Sequence, residues 1–214
     1  MATVAVIDYG MGNLHSIEKA LKSVSPESTV HVTADKDLIL SADHIVFPGV
    51  GAIRDCMAAL RESGLDEIIK HVASSKPILG ICIGMQALLQ HSEENDGVEC
   101  LGLLPGDVIK FPSNSQDKQG DKLKIPHMGW NQVHNNGKNP LFKGIGQDER
   151  FYFVHSYHAS QVDPSTVSAY SEYPDEFPCA LQSKNILAVQ FHPEKSQHAG
   201  LQLLKNFLNW DGQS

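Results

Sequence analysis

The sequence predicts one α/β domain over residues 1–214, with a mainly parallel central sheet flanked by helices and extra antiparallel strands in its second half. Two observations predict it. The first half alternates short apolar runs with amphipathic segments, the pattern of strands and helices wound into a parallel sheet. From about residue 124 to 188 strand-like runs follow one another without helices between them, and one amphipathic segment closes the chain. Neither an internal repeat nor a linker long enough to separate domains interrupts this order.

Taken in order, Thr3–Ile7 reads as a strand that ends at the turn Gly10-Met-Gly-Asn13. Ser16–Val24 has helical spacing through Ile17, Ala20, Leu21 and Val24. Thr29–Val32 is a further strand, and His44–Phe47 is a buried-type strand stopped by Pro48-Gly49. Ile53–Arg61 and Leu65–Ser74 read as helices. Pro77–Ile81 is a strand running into a helix over Met85–His91. Lys110–Lys124, polar and carrying Pro112, Ser113, Asn114, Ser115 and Gly120, reads as a mobile loop. Strands are expected at Trp130–His134, Phe151–His155, Val167–Ser171, Cys179–Gln182 and Ile186–Phe191, then a helix over Ser196–Trp210.

Composition narrows the function classes. With 17 basic against 25 acidic residues the net charge is −8, which argues against nucleic acid as the main partner. The apolar runs are too short to span a bilayer, and the N-terminus reads as a strand rather than a signal peptide. Cys56, Cys82, Cys100 and Cys179 have no CxxC spacing and fit free thiols in a reducing cytoplasm. Gly10-Met-Gly-Asn13 is not a dinucleotide loop, because position 15 is His; no cofactor is expected. His155 and His158 follow an apolar strand without further ligands at fitting spacing, so a pocket loop is expected there rather than a metal site.

Three segments carry chemistry. Gly80-Ile-Cys82-Ile-Gly84 has the form of a nucleophile elbow with cysteine as nucleophile. A sharp strand-to-helix turn strains its central residue, and glycines two positions either side relieve the crowding. The turn sets the sulfur at a helix N-terminus, where free N–H groups favour a thiolate and the Ile83 N–H can meet an oxyanion. Gln190-Phe-His192-Pro-Glu194 offers a base and a group to orient it, on the expectation that extended residues i and i+2 face the same side. Phe47-Pro-Gly-Val-Gly51 follows another parallel strand, and its Val50–Gly51 region is assigned the second oxyanion donor. The two glycines let the peptides around Val50 reorient cheaply, so the hole is expected to form fully only when a partner docks. Cys56 reads as core.

Together these segments resemble the class I, or triad, glutamine amidotransferases, over essentially the whole chain. Narrower motifs, Pro126-His-Met-Gly-Trp-Asn131 and Gly10-Met-Gly-Asn13, are similar to those of the glutaminase subunits of imidazole glycerol phosphate synthase. The resemblance implies that Cys82 attacks the carboxamide of L-glutamine, with His192 as base and later acid and Glu194 orienting His192. It implies that Gly51, Gln86, Glu94, Ser156 and Tyr157 line or bind the glutamine. It also implies a partner, the cyclase subunit, a (β/α)8 barrel that consumes the ammonia, with Asn13, Met128, Trp130 and Lys195 on or near the docking face. Core packing is the competing expectation for Met128 and Trp130. Ile53 departs from a phenylalanine common in the family, and Ser113–Asp121 looks longer than in compact relatives. A paralogue feeding another synthase, such as one amidating surface sugars, a partner-independent hydrolase and a non-catalytic subunit are the alternatives.

Overall fold

The structure, a computed structural model, describes residues 2–113, 116 and 120–213. Its first half is β1 (Thr3–Ile7), α1 (Leu14–Val24), β2 (Thr29–Thr33), α2 (Lys36–Ser41), β3 (His44–Gly49), α3 (Ile53–Ser63), α4 (Leu65–Val72), β4 (Ile78–Cys82) and α5 (Ile83–Leu88). Short strands β5 (His91–Ser92), β6 (Val98–Glu99) and β7 (Asp107–Lys110) follow. The second half holds β8 (His127–Asn135), β9 (Glu149–His155), β10 (Tyr157–Ser160), β11 (Val167–Glu172), β12 (Glu176–Ser183), β13 (Ile186–Val189) and α6 (Gln197–Leu208).

The main sheet has nine strands in the order β2-β1-β3-β4-β13-β12-β11-β8-β9. Five of them, from β2 to β13, are mutually parallel, and the remaining pairings are antiparallel. Every residue of β3 and β4 is buried, so both faces of the parallel half are covered. One helix group packs α1 on α6; the other packs α3 on α4 and α5, and α2 on α4. Phe47, Phe151, Phe153, Phe177, Phe191 and Phe207 are the largest fully buried side chains of the core among the described residues.

Three expectations need correction. The helix expected over Met85–His91 stops at Leu88. The backbone of residues 101, 103 and 104 folds back to satisfy the carbonyls of Ala87 and Leu88, while Gln90 pairs with Gly106 and Cys100. His91 is thereby drawn into a second, four-stranded sheet, β10-β7-β5-β6, that the sequence did not suggest. The strand expected over Ile186–Phe191 ends at Val189, and His192 opens a 3₁₀ turn over Pro193–Lys195. Lys110, placed in the loop by composition, closes β7. The remaining loop reading, and the extended rim at Ser113–Asp121, rest on residues of which 114, 115 and 117–119 lie outside those described.

Helix α2 was also unexpected; it is short, and its start is set by one side chain. Asp35 accepts hydrogen bonds from the N–H groups of Asp37 at 2.9 Å and Leu38 at 3.1 Å. Satisfying orphan donors in this way stabilises a helix end by about 1 kcal/mol. Asp35→Ala should therefore lower the unfolding free energy by about 1 kcal/mol in urea denaturation, with an unchanged m-value.

Candidate active site

Three neighbouring parallel strands end together. β3 and β4 stay in register to Gly49 opposite Cys82, and β13 and β4 to Val189 opposite Ile81. The segments just beyond, 49–51, 82–83 and 190–194, therefore meet at the carboxyl edge of the sheet, where open α/β sheets bind ligands.

Cys82 is held at φ +55°, ψ −109°, a conformation costly for a residue with a side chain. The elbow is tight: a Cβ on Gly84 would fall 1.9 Å from the Phe47 carbonyl oxygen, and one on Gly80 would fall 2.6 Å from Leu88 Cδ1. The flanking glycines thus let β4 and α5 pack against β3 and each other. Cys82 Sγ lies 3.9 Å from the Val154 carbonyl and 3.7 Å from Gln190 Nε2, which donates to it.

His192 and Glu194 are joined by a 2.9 Å contact between Nδ1 and Oε1, with both side chains buried. The contact forms through the 3₁₀ turn that Pro193 opens, not across an extended strand as the spacing had suggested. Ser196 Oγ donates to the His192 carbonyl at 2.6 Å and accepts from the Tyr152 N–H at 3.0 Å, pinning the turn to β9. Burial pushes the His192 imidazolium down, but the charge of Cys82 and the Glu194 carboxylate outweigh it and raise its pKa to about 10. With Nδ1 committed to Glu194, Nε2 makes no other hydrogen bond among the described residues. It is left to serve the sulfur side.

A cavity of about 280 Å³ opens over this edge. Val50, Gly51, Cys82, Ile83, Gln86, Glu94, Ser156, Tyr157 and His192 all line it, and Glu194 lies behind His192. Gln86 Nε2 donates to the Tyr157 carbonyl and to Gln190 Oε1, both at 3.0 Å, which leaves the buried Gln86 Oε1 unpaired among the described residues. Glu94 accepts from the Ile53 N–H at 3.0 Å, so its position is set by the start of α3. Gly51 has φ +92°, a conformation that favours glycine, in the loop given the oxyanion role.

His155 also lines the cavity, and a hydrogen-bonded chain runs away from it. The Tyr157 carbonyl can only accept, so His155 Nδ1 carries the proton of that 2.8 Å bond. His155 Nε2 then accepts from His127 Nδ1 at 3.0 Å, and His127 Nε2 accepts from Asn131 Nδ2 at 3.2 Å. Both rings must be neutral for this order, and burial pushes His127 to about 4 and His155 to about 3. His158 stacks on Phe111 at 4.4 Å. Among the described residues no three potential metal ligands cluster.

The residues assigned to a docking face divide differently. Met128 and Trp130 are 62% and 43% exposed, so core packing does not hold for them. They alternate along β8 with His127 and Asn131, which point inward. Trp130 meets the Tyr152 ring edge-on at 6.1 Å, and Lys195 Nζ stands 5.7 Å over the same ring, so the three form one surface patch beside the His192 turn. Asn13 precedes α1, which packs against that turn. Sequence reasoning gave no role to Gln190 or Ser196, and gave His155 only a place in a pocket loop. The signal was present for Gln190, a polar residue directly after the apolar run Ile186–Val189 and two before His192.

Comparison with known proteins adds the family. The model for "Glutamine amidotransferase class-I" matches residues 5–210. The chain is 56% identical to imidazole glycerol phosphate synthase subunit HisH of Methylococcus capsulatus, covering 99% of this chain and 98% of that one. It is 54% identical to the subunit of the same name from Pseudomonas putida, covering 99% of each. Among solved structures, PurLQS from Thermotoga maritima superposes with a TM-score of 0.72 at 20% identity, covering 98% of this chain and 99% of that one. A crystal structure of a glutamine amidotransferase superposes with a TM-score of 0.70 at 20% identity, covering 96% and 97%. Both structural likenesses speak to the fold.

The opposite shifts of the histidines can be read by NMR of the imidazole rings. His192 should stay charged through neutral pH and lose its proton near 10; Cys82→Ala should move that midpoint downward, since the raising charge is removed. Because the folded-state pKa lies above the unfolded one, any stability from this pairing is full at and below about pH 6.5 and fades as pH rises through about 10. His127 and His155 should remain uncharged down to about pH 5.

Proposed function

The chain belongs to the class I glutamine amidotransferases, and on that premise we propose that it works as the glutaminase subunit of an imidazole glycerol phosphate synthase, releasing ammonia from L-glutamine for a cyclase subunit in histidine biosynthesis. The observation that carries the proposal is the meeting of Cys82, the His192–Glu194 pair and the Val50–Gly51 loop around one cavity. Near-full-length identity above one half to subunits of that name supports the pathway.

The steps follow from the groups present. His192 holds the thiol proton in an ion pair with Cys82, and the Cys82 thiolate attacks the carboxamide carbon of glutamine. The N–H groups of Ile83 and of the Val50–Gly51 region receive the oxyanion. The C–N bond then breaks, His192 protonates the leaving nitrogen, and ammonia departs from a thioester. Water, deprotonated by His192, attacks the thioester, and collapse returns glutamate and the free thiol. Glu194 orients His192 throughout and stabilises its charged form. Gly51, Gln86, Glu94, Ser156 and Tyr157 hold the substrate, the unpaired Gln86 Oε1 being suited to a substrate N–H.

A partner belongs to the reading. Ammonia in neutral water is mostly ammonium, which is no nucleophile, so it must pass to its acceptor under cover. The cyclase would combine it with phosphoribulosyl-formimino aminoimidazole carboxamide ribotide. The exposed Met128 and Trp130, with Lys195 on the Tyr152 ring that Trp130 meets and Asn13 at the start of α1, form the docking face, since aromatic residues and methionine are enriched at interface centres. The work is done in the cytoplasm, where the free thiols suit a reducing medium; no helix among the described residues is long and apolar enough to cross a membrane.

Two outcomes test this. Cys82→Ala should abolish glutamine-dependent synthesis by the two-subunit complex and spare synthesis from added ammonium; persistence of glutamine-dependent turnover would sink the assignment. Trp130→Ala should weaken association with the cyclase by about tenfold or more, roughly 1–2 kcal/mol, in a calorimetric titration.

A further inference from the structure

We propose that Tyr9 is a positioning residue for the reaction: its hydroxyl holds the Pro48 carbonyl and so sets the spacing between the two segments that receive the oxyanion. The inference rests on the reading of the Val50–Gly51 loop and Ile83 given under Proposed function.

β1 and β3 stay in register only to Val6 opposite Val46, whereas β3 and β4 continue to Gly49 opposite Cys82. Beyond Val46, β3 has therefore lost its partner on the β1 side while still buried. A buried backbone carbonyl without a partner is costly. Pro48 has such a carbonyl, and the Tyr9 hydroxyl donates to it at 2.9 Å. A side chain takes over where the ladder stops.

Tyr9 is well held for that task. It is only 7% exposed, and its ring meets Phe47 edge-on at 5.8 Å. Burial raises the hydroxyl well above the tyrosine range and pushes the adjacent Cys56 thiol up to about 12, so both stay neutral. The single hydroxyl proton is committed to Pro48.

The hydroxyl also sits against Gly49. A Cβ there would fall 2.5 Å from Tyr9 Oη and 2.7 Å from Ile83 Cβ. The Gly49 backbone is thus gripped between Tyr9 and the residue whose N–H supplies the other donor. Pinning the Pro48–Gly49 peptide leaves Val50 and Gly51 as the portion of the loop free to turn. The segment following Tyr9 touches that portion as well: a Cβ on Gly51 would lie 2.9 Å from Met11 Cε.

The test is Tyr9→Phe in the full chain, assayed for glutamine hydrolysis in complex with the cyclase subunit and its ribotide ligand. Expected is a fall in kcat of about tenfold, smaller than the loss of an oxyanion donor itself, with KM for glutamine within about twofold. Alkylation of Cys82 by iodoacetamide, a displacement that forms no oxyanion, should keep its wild-type rate. The carbonyl ¹³C resonance of labelled Pro48 should shift, reporting the lost hydrogen bond independently of activity. An unchanged kcat, an equal fall in alkylation rate, or an effect confined to KM would overturn the proposal. A wild-type complex unable to hydrolyse glutamine would overturn the functional reading first, and this inference with it.

Discussion

Everything in this molecule turns on the strained backbone at Cys82. A residue with a side chain at φ +55°, ψ −109° would relax if its surroundings allowed. They do not, because β4 is paired in parallel on both sides, and Gly84 rests against the Phe47 carbonyl of the neighbouring strand. The elbow is over-determined by the sheet. The same pairing aligns the ends of β3, β4 and β13, so the parallel half of the sheet both stores the strain and brings together the chain segments around the cavity.

Beside one cavity the structure holds one residue type in two opposite electrostatic states. His192 is buried yet raised, because Cys82 and Glu194 offer negative charge on either side of its ring. Burial lowers His155 and His127, and the carbonyl bond that raises His155 does not offset it. Burial disfavours the imidazolium in all three; only a carboxylate or thiolate partner reverses it. The result is one ring charged near neutrality beside two that stay neutral and tie β8 to the cavity wall.

The parallel half of the fold was legible in the sequence because buried strands and amphipathic helices have clear periods, as in His44–Phe47 and Ile17–Val24. The site was legible where geometry leaves a short local imprint: glycines around Cys82, and proline between His192 and Glu194. Less was legible where geometry is made by distant segments. β5 and β6 have two residues each, too few to show a period, and exist because their edges find β7 and one another. The pairing of His155 with His127 depends on the β8–β9 register. Tyr9 carried no legible role, since nothing near it in sequence announces that β3 outruns β1.

The strand order carries a consequence for how the enzyme comes into being. β13 lies between β4 and β12, yet both of those precede it in the chain, as does every element except the Pro193–Lys195 turn and α6. During synthesis the ribosome delivers Cys82 well before it delivers the strand that closes the edge of β4 and carries the turn with His192. A nascent chain therefore holds a thiol without its base and a sheet with an open seam at its centre. On the roles proposed for Cys82 and His192, a chain terminated anywhere before β13 lacks the base and releases no ammonia from glutamine.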